Sequence, residues 1–179
     1  MSSNRSKLRK NIMNEQTTEE LMSLATEDQY LTFGVGQESY GIKILSVQEI
    51  RGWEIVARVP NTPQYIKGVL NLRGTAVPII DLRLRMEEKV PEYNSTTVVI
   101  ILRATMNNKQ RIAGIVVDSV SDVMNATSEE IKKTPDFGQG VDTEFIKGLV
   151  DVGGTMVMLF DVEGFMQHPD IYDNPAELD

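Results

Sequence analysis

Two stretches of the chain, read side by side, decide its fold. The first is Ile66-Lys-Gly-Val-Leu-Asn-Leu-Arg-Gly-Thr-Ala-Val-Pro-Ile-Ile-Asp-Leu82, and the second is Ile146-Lys-Gly-Leu-Val-Asp-Val-Gly-Gly-Thr-Met-Val-Met-Leu-Phe-Asp-Val162. At a constant offset of 80 residues they agree without a gap at Ile66/Ile146, Lys67/Lys147, Gly68/Gly148, Gly74/Gly154, Thr75/Thr155, Val77/Val157 and Asp81/Asp161. Each copy reads strand, tight turn, strand. A Gly in the turn supplies the positive φ that a two-residue hairpin requires. Short runs of Val, Leu and Ile suit a pleated surface that is largely buried. Matching Lys-Gly, Gly-Thr and terminal Asp at one offset mark an internal duplication.

Upstream of each copy the likeness continues. Tyr30 to Phe33 and Tyr40 to Ile42 flank Gly34-Val-Gly-Gln-Glu38 as a hairpin, followed by Ile44 to Gly52. The second half starts in the same way, with a strand from Thr97 to Leu102, a turn at Asn107-Asn108 and a return strand from Arg111 to Val117. Tyr40-Gly-Ile42 matches Ala113-Gly-Ile115 and Ser46-Val47 matches Ser119-Val120, now at an offset of 73. The expected architecture is all-β: two related five-stranded β-barrels packed side by side, with few short helices. A five-stranded unit has a thin core, so the halves are expected to pack together. The expected divisions are a tail over 1–28, two interlocked subdomains over roughly 29–92 and 93–166, and an acidic tail over 167–179. Thr17 with Glu20, Thr62-Pro63, and Thr127 with Glu130 are expected to open short helices. The charged stretch from Arg83 to Glu92 reads as a solvated connector.

Composition narrows the function. A net charge of −8 is wrong for a general nucleic-acid binder, which needs a basic face to displace counterions. The chain has no cysteine, which removes disulfides, thiolate metal sites and a Cys nucleophile. No apolar run approaches a membrane span, and the first residues carry no signal segment. Asp81 and Asp161, one from each half, invite comparison with a carboxylate dyad. Both end a strand, where Asp commonly accepts bonds from turn amides, and the Asp-Thr-Gly signature of aspartic proteases is absent. The single histidine, His168, stands beside Pro169 and is read as a surface residue. The residues thus offer no catalytic set, no metal site and no cofactor site, and point to a protein that binds proteins.

At Val47-Gln-Glu-Ile-Arg-Gly52, Asn61-Thr-Pro63, Ile66 to Gly74 and Val77-Pro-Ile-Ile-Asp-Leu82 the sequence resembles the CheW family of bacterial chemotaxis coupling proteins. The likeness continues through Gly114 to Asp118, Val120 to Val123 and Pro135-Asp-Phe137, covering about Gln29 to Phe165. The resemblance implies a cytoplasmic adaptor without catalysis, joining the tips of methyl-accepting chemoreceptors to the histidine kinase CheA at the membrane-associated array. It implies a receptor-binding surface of Val47, Glu49, Gly68, Arg73, Val98 and Val123, and a kinase or ring contact at Lys132 and Phe137. The family often carries Arg at the first of these positions, and Lys132 keeps the charge but loses the bidentate geometry. The resemblance also implies a free monomer without nucleic-acid or membrane insertion. Related barrels form the regulatory domain of CheA and the front half of CheV, but their companion domains do not fit within 179 residues. Alternatives are a scaffold of a non-motility CheA-type pathway, a small-barrel nucleic-acid binder and a dyad hydrolase.

Overall fold

The computed structural model describes residues 28–87, 91–135 and 144–168. Ten strands follow in order: β1 Gln29–Val35, β2 Glu38–Lys43, β3 Val47–Gly52, β4 Ile66–Leu72, β5 Thr75–Asp81, β6 Val98–Met106, β7 Lys109–Val117, β8 Ser119–Asn125, β9 Ile146–Val152 and β10 Thr155–Phe160. A 3-10 turn at Ile44–Ser46 and two short helices, α1 Leu82–Glu87 and α2 Val162–Met166, complete the described elements. The strands form two five-stranded sheets, β8-β1-β2-β10-β9 and β3-β6-β7-β5-β4.

Matching β1 to β5 with β6 to β10 makes the two orders identical, and it also shows that the sheets do not follow the halves. Each sheet takes its β1–β2 type hairpin from one half and the three following strands from the other. Each sheet has two joins between the halves, one antiparallel (β8 with β1, β3 with β6) and one parallel: Leu159 faces Gly41 across β10 and β2, and Ile79 faces Gly114 across β5 and β7. A Cβ on Gly114 would stand 2.5 Å from the Ile79 side chain, and one on Gly41 would stand 3.1 Å from Leu159. Both glycines therefore make room for an apolar side chain on the crossing strand. The expected subdomains over 29–92 and 93–166 are thus interlocked through their strands, since neither half contains a complete sheet.

Each sheet is drawn toward closure by the segment that leaves its edge strand. After β3, Trp53 N–H donates to Thr97 O (3.1 Å) and Ala57 bridges to Val69 on β4. After β8, Ala126 N–H donates to Asp28 O (2.8 Å) and Lys132 bridges to Leu149 on β9. The Lys-Gly of the repeat is explained here. Gly68 (φ 144°) runs against the Ala57 carbonyl, and a Cβ on Gly148 would meet the Ile131 side chain at 2.6 Å.

The apolar side chains form three clusters. The largest lies between the sheets and takes Leu31, Phe33 and Val35 from β1, Val98, Ile100 and Leu102 from β6, with Val47, Ile80, Phe160 and Phe165. Leu72, Val77, Ile79, Val99, Ile101 and Val116 fill the second sheet's interior, and Tyr30, Ala126, Val150 and Leu159 fill the first. Strand β6 serves two of these cores, which explains its unbroken apolar run from Val98 to Leu102.

Three expectations about helices change. Thr62 Oγ1 donates back to Val59 O (2.8 Å) instead of capping forward, and the chain enters β4 at Ile66 after turns only. Thr127 and Glu130 make their mutual bonds (3.0 and 3.3 Å), yet they close a turn rather than a helix. The stretch read as a solvated connector begins with helix α1, and Arg83 within it is buried. The helix expected near Thr17 lies outside the described residues; of the tail expected over 167–179, Gln167 caps helix α2, His168 is described, and the rest lies outside the described residues.

Candidate functional site

The two hairpin turns of the repeat have the same backbone and different side chains. At the first, Arg73 and Gly74 have φ of 51° and 86°, and Gly74 N–H donates to Asn71 Oδ1 (2.9 Å). At the second, Gly153 and Gly154 have φ of 59° and 87°, and Gly154 N–H donates to Asp151 Oδ1 (2.9 Å). The left-handed region favours Gly, and a side chain there is strained. The turn itself therefore has no need of Arg73. Its side chain is 75% exposed and donates through Nη2 to Glu49 Oε2 (3.2 Å).

Glu49 lies on β3, at the opposite edge of the same sheet, and curvature of the sheet brings the two together. Its side chain is only 16% exposed, and its other oxygen accepts from Arg51 Nη1 (3.2 Å). Arg51 Nη2 donates in turn to Glu54 Oε1 (2.8 Å). The result is a row of alternating charges, Arg73–Glu49–Arg51–Glu54, along the seam between β3 and the β4–β5 turn. The more exposed Arg51–Glu54 pair adds only about 0–1 kcal/mol to stability.

The other residues of the expected receptor surface do not gather at this seam. Val47 and Val98 are each 1% exposed and belong to the core between the sheets. Gly68 is buried beneath the Ala57 carbonyl. All three are packing positions in this structure, within the inter-sheet core or beneath the closing segment, and their expected receptor role rests on the resemblance alone. Val123 sits half-buried on β8, at the edge of the other sheet, and packs against the shared core. Lys132 is exposed and exchanges two backbone bonds of 2.8 Å with Leu149. Phe137 lies outside the described residues.

Asp81 and Asp161 have separate structural tasks. Asp81 accepts from Arg83 Nε (3.0 Å), Arg83 Nη2 (2.8 Å), the Arg83 amide (3.0 Å) and Tyr93 Oη (2.7 Å). Arg83 also donates through Nη1 to Glu92 O (2.7 Å) and Asp118 Oδ1 (3.1 Å), and Asp118 Oδ2 accepts from Gly36 N–H (2.7 Å). One guanidinium thus ties β5 and α1 to the β7–β8 junction and to the β1–β2 turn. Burial pulls the Arg83 pKa down, but the bonds and charges of Asp81 and Asp118 outweigh it and hold the group above its ordinary value. Partial burial, then the bond to Asp81, raises the Tyr93 phenol above its usual range. Asp161 instead caps α2, accepting from Gly164 N–H (3.1 Å). An Asp fixed by an Arg and another fixed by a helix end do not share a proton, so the dyad reading is set aside. His168 is half-buried, with its ring against the edge of Phe145 and Nε2 3.5 Å from Glu144.

Sequence reading missed Arg83 because its pattern is that of a solvated helix face; only the buried Asp81 two residues earlier hinted at a partner. Among the described residues no helix is long and apolar enough to cross a membrane.

Two strand-exchanged barrels with a charged seam, its groups paired among themselves, define a two-barrel scaffold. The CheW-like domain model matches residues 29–170, and the chain belongs to that family. It is 44% identical over 163 residues to Chemotaxis protein CheW of Klebsiella aerogenes, covering 90% of this chain and 96% of that one. It is 33% identical over 133 residues to Probable chemotaxis protein CheW of Rhizobium etli, covering 74% and 83%. Among solved structures it resembles the scaffolding protein TtCheW from Thermoanaerobacter tengcongensis, with a TM-score of 0.67, 26% identity and coverage of 76% and 86%.

Proposed function

We propose that this chain is a chemotaxis adaptor that couples the cytoplasmic tips of chemoreceptors to the histidine kinase CheA. Membership of the CheW-like family and its likeness to a scaffolding protein support the role. The observation that carries the site is Arg73, a charged side chain kept at a left-handed turn position where its repeat counterpart is Gly153. A receptor tip is a helical hairpin, and a helix docking on such a seam needs a few charges to fix its register. Glu49 and Arg73 supply them, and Val123 stands as a half-buried apolar contact on the other barrel. Lys132 and Phe137 remain the proposed contact toward the kinase or a neighbouring copy of its regulatory domain.

The chain acts in the cytoplasm, by binding alone, and is a monomer outside the array. Co-sedimentation with receptor-containing membranes and kinase tests the reading. The chain is expected in the pellet with both partners and to raise kinase activity there. Failure to pellet with either partner overturns it. Purified chain should hydrolyse no ATP above a matched mutant control; measurable turnover would return the question to enzymes.

A further inference from the structure

On the second barrel an open trough of about 800 Å³ runs between the segment that leaves β3 and the residues around α1 and Tyr93. That volume lies within the usual range of ligand sites. One wall is aromatic: Trp53 stacks on Tyr93 with ring centroids 4.6 Å apart. The rim carries Ile55, 93% exposed, the most exposed large apolar residue described. Lys67 Nζ lies 5.4 Å from the Tyr93 ring centre, and Arg58 is exposed on the same lining. Among the described residues no Asp or Glu lines the trough, although the chain as a whole carries a charge of −8.

The duplication shows that the fold does not require these side chains. Trp53 and Ala126 occupy matching positions and make the matching backbone bond, to Thr97 O and Asp28 O respectively. On the first barrel the corresponding hollow, lined by Ala126, Ser128 and Lys147, encloses about 360 Å³. One barrel closes its edge with a buried methyl group, and the other holds a tryptophan and an exposed isoleucine over a wide cationic hollow. Large exposed apolar surface rimmed by charge marks a recognition site.

We infer that this trough is a docking site for an extended segment of a partner protein that carries a bulky apolar side chain beside Asp or Glu. The apolar side chain packs against Trp53 and Ile55, and the carboxylates face Arg58 and Lys67. The inference does not depend on what docks at the Glu49–Arg73 seam.

Trp53 is the only tryptophan in the chain, so its emission reports on the trough directly. The probe is a synthetic octapeptide with Leu-Phe set among Asp and Glu, titrated against the full chain. One control has Leu-Phe replaced by Ala-Ala, and the other has its acids replaced by Lys. The expected result is a saturable change in Trp53 emission with the first peptide, and affinities about tenfold or more weaker for both controls. By anisotropy of the labelled peptide, Trp53→Ala and Arg58→Glu should each weaken binding about tenfold, with the melting temperature of Arg58→Glu unchanged. Arg58 is exposed, so its variant keeps the test alive if Trp53→Ala fails to fold. Equal binding of the Lys peptide, indifference to Arg58→Glu, or no saturation in the millimolar range overturns the inference. If deleting residues 169–179 alone shifts Trp53 emission and tightens peptide binding, the occupant is the chain's own acidic end, and the partner assignment falls.

Discussion

Arg73 is the residue at which sequence and structure argue most closely. Its repeat counterpart, Gly153, shows what the turn prefers, and its φ of 51° shows that the side chain is carried at a cost. Arg73→Gly should therefore leave stability within about 1 kcal/mol of the parent, since a left-handed penalty is traded for glycine's entropy. The same variant should lose receptor-dependent kinase activation. Glu49→Lys and Arg73→Glu are expected to go further, because a like charge set against a partner's charge costs several kcal/mol at an interface. Melting curves, a kinase pull-down and kinase activation measured together separate the cases. Unfolding would make the pair structural, and unchanged activation would move the receptor surface elsewhere. Tyr93 allows a pH test. Its folded-state pKa is raised above the ordinary 10.0 by burial and the bond to Asp81. Above that pH the unfolded chain releases the phenolic proton and the folded chain retains it. The stability Tyr93 contributes is thus complete below about pH 10 and falls as pH rises further. Tyr93→Phe should flatten the loss of melting temperature in that alkaline range. An equally steep loss in the variant would place the titrating group elsewhere.

Among the elements, hairpins were the most legible. Alternating apolar residues around Arg73-Gly74 and Asn107-Asn108 located β4–β5 and β6–β7 within a few residues, because turn chemistry is local. Helix α1 was not legible, since Arg83 and Arg85 look solvent-facing until Asp81 and Asp118 are placed beside Arg83. The opposite failure occurred at Thr62-Pro63, where a sound local start signal leads into a strand. The glycines were visible as a repeat, but their reasons were not. Gly68 and Gly74 both have positive φ, yet only Gly68 has backbone against it, and a Cβ on Gly74 meets nothing within 4 Å. Gly68→Ala should cost about 3 kcal/mol or more, as the closing segment at Ala57 is forced away. Gly74→Ala should cost about 1 kcal/mol, from conformation alone. Chemical denaturation of both variants decides the matter. Similar losses would mean that the barrel edge yields easily.

At the scale of the molecule, the duplication was readable and the exchange between its halves was not. Nothing local in β2 says whether it will lie beside β5 of its own half or β10 of the other, because both carry the same repeat and the same matching residue for Gly41, Ile79 or Leu159. What fixes the choice is long-range. The 3-10 turn at Ile44–Ser46 carries the chain from the first sheet to the second, and Asp118, held by Arg83 and Gly36 N–H, marks its return. The shared core then buries β1 and β6 against each other, which a single half cannot do. Fragments 29–92 and 93–166 should therefore each fail to unfold cooperatively when made alone. Each would present two hairpins and one lone strand without partners, together with its share of the largest apolar cluster. A thin five-stranded unit has little apolar burial to offset such exposure. Mixed in equal amounts, the two fragments should recover β-sheet circular dichroism and a single melting transition, at a temperature that rises with concentration because folding has become association. A fragment that melts cooperatively on its own would show that the chain reverses at Ile44–Ser46 to build a self-contained barrel, and that the exchange is dispensable for folding.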